Sequence, residues 1–154
     1  MKTLLSAAIL AAAMILPEPA LAQVTVTGPW VRATVPSQMA TGAFMTLTAP
    51  KGGRLVEAKS PVAGVVEIHE MVMDKDVMRM RAVAALDLPA GKAVALRPGG
   101  YHVMLMSLQQ QIREGDRVPL TLVVEGRDGK RETIEVTATA RPLGSARGDM
   151  KKHH

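Results

Sequence analysis

Two histidines and a run of methionines are the residues of this chain best suited to chemistry. His69-Glu70-Met71-Val72-Met73 sets His69, Met71 and Met73 on one side of an extended strand, and Val77-Met78-Arg79-Met80-Arg81 does the same for Met78 and Met80. If the two segments close a hairpin around Asp74-Lys75-Asp76-Val77, Met71 falls opposite Met80, with His69 on the diagonal and all on a shared face. A third segment, Tyr101-His102-Val103-Met104-Leu105-Met106, projects His102, Met104 and Met106 together and Tyr101, Val103 and Leu105 the other way. His102-x-Met104 is therefore a strand-borne chelate whose Cα atoms lie roughly 6 to 7 Å apart, a span that an imidazole and a flexible thioether can close onto one ion. Gly99-Gly100 is expected to bend the chain at its rim.

Imidazole suits several metals, but the thioether is soft and neutral and selects Cu(I) over Zn, Mg, Ca or Mn. The chain has no cysteine, so a blue-copper electron carrier with its short thiolate bond is disfavoured, and the ion reads as cargo that a thiol acceptor can take away. A methionine or histidine taken singly is more often structural; the recurrence of both types on compatible faces carries the argument. Met39 and Met45 read as structural. Met71, Met73, Met78 and Met106 read as a surrounding shell or hydrophobic rim with the capacity for direct participation. Near the C-terminus, Met150, His153 and His154 form an accessory set that can take Cu(II) through imidazoles and backbone groups, or a remnant of an affinity tag.

The elements that must carry these residues are short and β-branched, separated by Pro50-Lys51-Gly52-Gly53, Ser60-Pro61, Pro89-Ala90-Gly91, Pro98-Gly99-Gly100 and Gly126-Arg127-Asp128-Gly129. Ten segments are expected as strands, at 24–27, 30–35, 43–48, 54–58, 65–73, 77–84, 93–97, 101–108, 120–125 and 132–138. No helical period appears after residue 22, so the expectation is an all-β, antiparallel Greek-key sandwich or barrel. Residues 1–22 read as a signal peptide cleaved after Ala22: Lys2, an apolar run from Leu4 to Leu16 of about 13 residues, too short to span a bilayer, then Ala20-Leu21-Ala22. That leaves a β-domain at 23–141 and a mobile tail at 142–154, with no lipobox cysteine and no stable membrane span expected after cleavage.

The net charge of +5 comes from scattered basic residues with only Trp30, Phe44 and Tyr101 as aromatics, a poor basis for nucleic-acid binding. Nor does the sequence carry a nucleophile elbow, a phosphate loop or a His-Glu-x-x-His motif, and an enzyme is not expected.

His69, ten residues, Met80, twenty-one residues, His102, one residue, Met104: this spacing resembles the signature of the periplasmic PCuAC-type copper chaperones. The flanking Leu88-Pro89-Ala90-Gly91, Pro98-Gly99-Gly100, Trp30-Val31-Arg32-Ala33-Thr34 and Ala40-Thr41-Gly42-Ala43-Phe44-Met45 look like that family too, from about Trp30 to Thr139. Asp74-Lys75-Asp76 departs from relatives that place a glycine in this turn. The resemblance implies a cupredoxin-like fold, His69, Met80, His102 and Met104 as Cu(I) ligands, and delivery to the Cu(A) centre of cytochrome c oxidase, alone or with a Sco-type thiol protein; a monomer is expected. A copper buffer or resistance protein with the same ligands, and a metal-free envelope interaction module, are the competing readings.

Overall fold

The computed structural model describes residues 23–142; the expected signal peptide and the tail residues Met150, His153 and His154 lie outside them. Ten strands and no helix occupy the described residues: β1 (Thr25–Arg32), β2 (Ala40–Thr48), β3 (Gly53–Lys59), β4 (Ala63–Asp74), β5 (Val77–Ala82), β6 (Leu86–Leu88), β7 (Ala93–Leu96), β8 (His102–Leu108), β9 (Arg117–Glu125) and β10 (Arg131–Arg141). They join in the order β5-β4-β8-β2-β1-β10-β9-β3-β6, with β7 also on β2. The all-β, cupredoxin-like Greek-key sandwich expected from the sequence is the architecture observed.

Alternation builds the core. Val103 and Leu105 of β8, Val31 of β1, Ala43, Met45 and Leu47 of β2, and Leu120 and Leu122 of β9 are buried, and the residues alternating with them project from the opposite face as the pleat requires. Replacing one of these leucines with alanine would cost about 2–5 kcal/mol, since the packed surroundings only partly refill the void.

The ten strands do not map singly onto the ten expected segments. The segments expected at 24–27 and 30–35 merge into one strand, β1, which ends at Arg32 and is interrupted by a bulge between Thr27 and Trp30 where Gly28 takes φ 59°. Beyond the bulge, β1 turns to run parallel with β10, pairing Trp30 with Thr139 and Arg32 with Arg141. The purely antiparallel expectation is thereby corrected. The short strand β6 was not anticipated, because three residues are too few to show a period.

Strand β2 changes partner along its length. Ala40 to Ala43 pair with β8, and Met45 to Thr48 pair with β7. Phe44 stands at the point of divergence, and the Arg97–Tyr101 turn that links β7 to β8 lies over the gap, closed by Gly100 N–H donating to Arg97 O at 3.0 Å and Arg97 N–H donating to Tyr101 O at 3.0 Å. Gly99 takes φ 85° at its apex, a region open to glycine without steric cost.

Candidate metal centre

The hairpin forms with the register read from the sequence: Met71 opposes Met80, Met73 opposes Met78, and Lys75-Asp76 make a two-residue turn with φ 49° and 65°. Positive φ at both positions is the turn geometry whose twist matches paired strands, reached here without glycine.

On its other edge β4 pairs with β8, setting His69 directly opposite His102 and Glu67 directly opposite Met104. The outward faces of β5, β4, β8 and β2 therefore present Met80, His69, His102, Met104, Gly42 and Phe44 on one surface. Met80, Met71, His102 and Met104 line one open cleft of about 300 Å³ together with Arg32, Gly42, Phe44 and Pro98. His69 is not part of that lining; its ring adjoins the cleft through His102, with centroids 5.7 Å apart. Imidazole nitrogens bind metals at about 2 Å, so one ion between two rings requires centroids within roughly 6 Å.

Hydrogen bonding sets the tautomer of each ring. His102 Nδ1 lies 3.0 Å from Gly100 O; a carbonyl only accepts, so Nδ1 carries the proton and Nε2 keeps its lone pair. His69 Nε2 lies 2.8 Å from Glu67 Oε2; a carboxylate only accepts, so in the neutral ring the proton sits on Nε2 and the lone pair on Nδ1. That Nδ1 is buried and has no hydrogen-bond partner, a costly arrangement unless something else satisfies the nitrogen. Burial, foremost, holds the His102 imidazole below its ordinary pKa; the bond to Gly100 opposes this, and His69 and Arg32 add smaller repulsions. The ring therefore gives up its proton more readily than a free imidazole, and the neutral form is the one that can bind a metal.

An aromatic wall backs the cleft. Phe44 packs against Trp30 at 4.5 Å between centroids and faces His102 at 6.2 Å, while the Arg32 guanidinium lies 5.7 Å over Phe44. Gly42 makes this close packing feasible, because a Cβ there would sit 2.8 Å from Phe44 Cζ. Sequence reasoning missed Gly42, Phe44 and Glu67 as parts of the site. Glu67 was findable as the acid two residues before His69 on the same face; Glu70, the acid adjacent in sequence, turns away and pairs with Arg81.

The other methionines divide. Met45 is in the core, as expected, but Met39 is exposed on the approach to β2, contrary to its structural reading. Met106 opposes Ala40 and Val65 and does not line the cleft. Met73 and Met78 stand in solvent at the hairpin end.

Among the described residues no three of His, Asp and Glu gather as a metal-holding group, so the donors assembled here are the soft and borderline ones. A larger cleft of about 370 Å³ between the Pro50–Gly52 and Gly126–Glu132 turns contains neither histidine nor methionine. No described helix is long and apolar enough to cross a membrane.

The LpqE-like lipoprotein family model matches residues 24–139. Lipoprotein-named Lxx21020 of Leifsonia xyli subsp. xyli is 31% identical over 100 residues, covering 64% of this chain and 60% of that protein. The chain thus spans about three fifths of that relative's length. RP573 of Rickettsia prowazekii is 30% identical over 124 residues, covering 77% of this chain and 68% of that protein. Among solved structures, Cu(I)-DR1885 of Deinococcus radiodurans is 35% identical with a TM-score of 0.58, covering 79% of this chain and 81% of that one. The copper-bound PCuAC domain of PmoF2 shares the fold at 24% identity and a TM-score of 0.58, covering 77% of this chain and 93% of the domain.

Proposed function

The chain belongs to the LpqE-like family and is of the PCuAC type, and from that premise we propose that it is an exported periplasmic chaperone that carries Cu(I) on His69, Met80, His102 and Met104. The observation that carries this reading is the pair of adjacent imidazoles, each with one nitrogen tied off by an acceptor and the other left without one, beside a cleft lined by thioethers. Neutral soft donors suit a soft monocation and leave it uncommitted to any strong thiolate bond. The solved relative DR1885 is described with Cu(I) bound, and the same ion fits the donors here.

Release follows from the same chemistry. Met80 is 52% exposed, so an incoming thiolate can displace the outermost thioether first and strip the ion stepwise. The proposed recipient is the Cu(A)-bearing subunit of cytochrome c oxidase, reached directly or through a Sco-type thiol protein, and the chaperone acts as a monomer without catalysing a reaction. The tail carrying Met150, His153 and His154 supplies an auxiliary Cu(II) site.

Anaerobic Cu(I) titration against a chromophoric chelator tests the site: one tightly held equivalent for the parent, lost in His102→Ala and weakened in Met104→Leu. Failure of the parent to compete would overturn the reading in favour of a metal-free envelope module. Incubating the loaded protein with a soluble Cu(A) fragment tests the destination, since a copper buffer would retain its metal.

A further inference from the structure

The β4–β5 hairpin is chemically two-sided. On one face Asp74 pairs with Arg79 at 3.2 Å and Glu70 with Arg81. The opposite face carries two cross-strand methionine pairs, Met73 with Met78 and Met71 with Met80, and the next position along β4 is His69. Residues two apart on a strand share a face about 7 Å apart, so the pairs form successive rungs leading from the turn to the histidines. The inner rung lines the cleft. The outer rung does not: Met73 is 64% and Met78 46% exposed, so core packing explains neither side chain.

Resting on the Cu(I) reading above, we propose that Met73 and Met78 form a separate, outer landing site for Cu(I), from which the ion passes by way of Met71 and Met80 to the histidine cleft. Thioethers neither titrate nor carry charge, and two of them directly opposed across the ladder can hold a soft monocation weakly. Three rotatable bonds let each methionine swing towards the next rung, so an ion can be shared between rungs as it moves. Imidazole donors at the inner end deepen the binding and give the path its direction. Copper stays Cu(I) throughout and no electron is transferred.

The test uses Ag(I), a soft ion of the same charge, added to protein carrying ¹³C-labelled methionine methyl groups. The first equivalent should shift Met104 and Met80, and a second, weaker equivalent should shift Met73 and Met78. In Met73→Leu/Met78→Leu the second equivalent should vanish while the first binds within about twofold of the parent, and loading from a Cu(I) chelate should slow several-fold. Ag(I) that shifts Met104 but spares Met73 and Met78, or parental loading by the double variant, overturns the outer site and leaves the chaperone reading intact. Shifts at Met73 and Met78 without any at Met104 uphold the outer site and remove the cleft assignment instead.

Discussion

Replacing Glu67 with alanine removes the group that fixes which His69 nitrogen bears the proton. The Glu67 Oε2 to His69 Nε2 contact is 2.8 Å, between side chains 43% and 13% exposed respectively. A hydrogen bond to a charged group contributes about 1.5–3 kcal/mol, and the partly solvated carboxylate places this one near the lower limit. A loss of about 1.5 kcal/mol corresponds to roughly tenfold weaker Cu(I) binding, at the lower end of the tenfold to hundredfold range typical of residues that orient a metal ligand. Glu67→Gln keeps an acceptor but not its charge, and with a neutral bond about half as strong the loss should be roughly threefold. Competition with a Cu(I) chelator at pH 7.5 measures both, beside His69→Ala as the reference for complete loss of the ligand. If His69→Ala abolishes tight binding while both Glu67 variants match the parent, the tautomer argument is wrong.

Gly42→Ala should push the Phe44 ring off its seat, because the new Cβ would lie 2.8 Å from Phe44 Cζ and the ring is buried; a stability loss of about 1–3 kcal/mol is expected by thermal or denaturant unfolding, with weaker copper binding from the deformed cleft. His102 gives a pH dependence whose sign follows from its lowered folded-state pKa: the unfolded state takes up the proton first, so apo stability falls as pH drops below about 6.5 and levels off once the folded ring is also protonated. His102→Gln should flatten that part of the stability profile, while Cu(I) affinity of the parent, set by proton competition, should hold to a lower pH at His102 than at an ordinary imidazole. Lys75→Asn/Asp76→Gly should stabilise the hairpin turn by about 1 kcal/mol, since asparagine and glycine accept the positive φ that lysine and aspartate bear here; slower amide exchange in β4 and β5 would register it, and unchanged exchange would mean the turn is unstrained.

The sequence by itself determined the donor chemistry and the faces. Histidines and methionines at alternate positions, with no cysteine in the chain, specify a soft, neutral ligand set, and the period of two specifies which side chains share a side of each strand. It also determined the hairpin register, because the Asp74-to-Val77 turn leaves one pairing that keeps Met71 and Met80 opposed. Both are local properties, written within a dozen residues.

Which strands would be neighbours was decided only in three dimensions. Alternation says that His69 and His102 each point outward, but their direct pairing across β4 and β8 joins segments far apart in the chain, and nothing in either segment names the other as its partner. The cleft likewise arises because β2 leaves β8 for β7 at Phe44, a divergence set by the packing of the whole sheet. The parallel return of β1 beside β10 has the same origin. Most specific to the tertiary structure are the tautomers: Gly100 O and Glu67 Oε2 are single atoms placed by a turn and a rotamer. A residue pattern records which donors exist, whereas which nitrogen of each ring is left open to a soft metal depends on where each acceptor comes to rest.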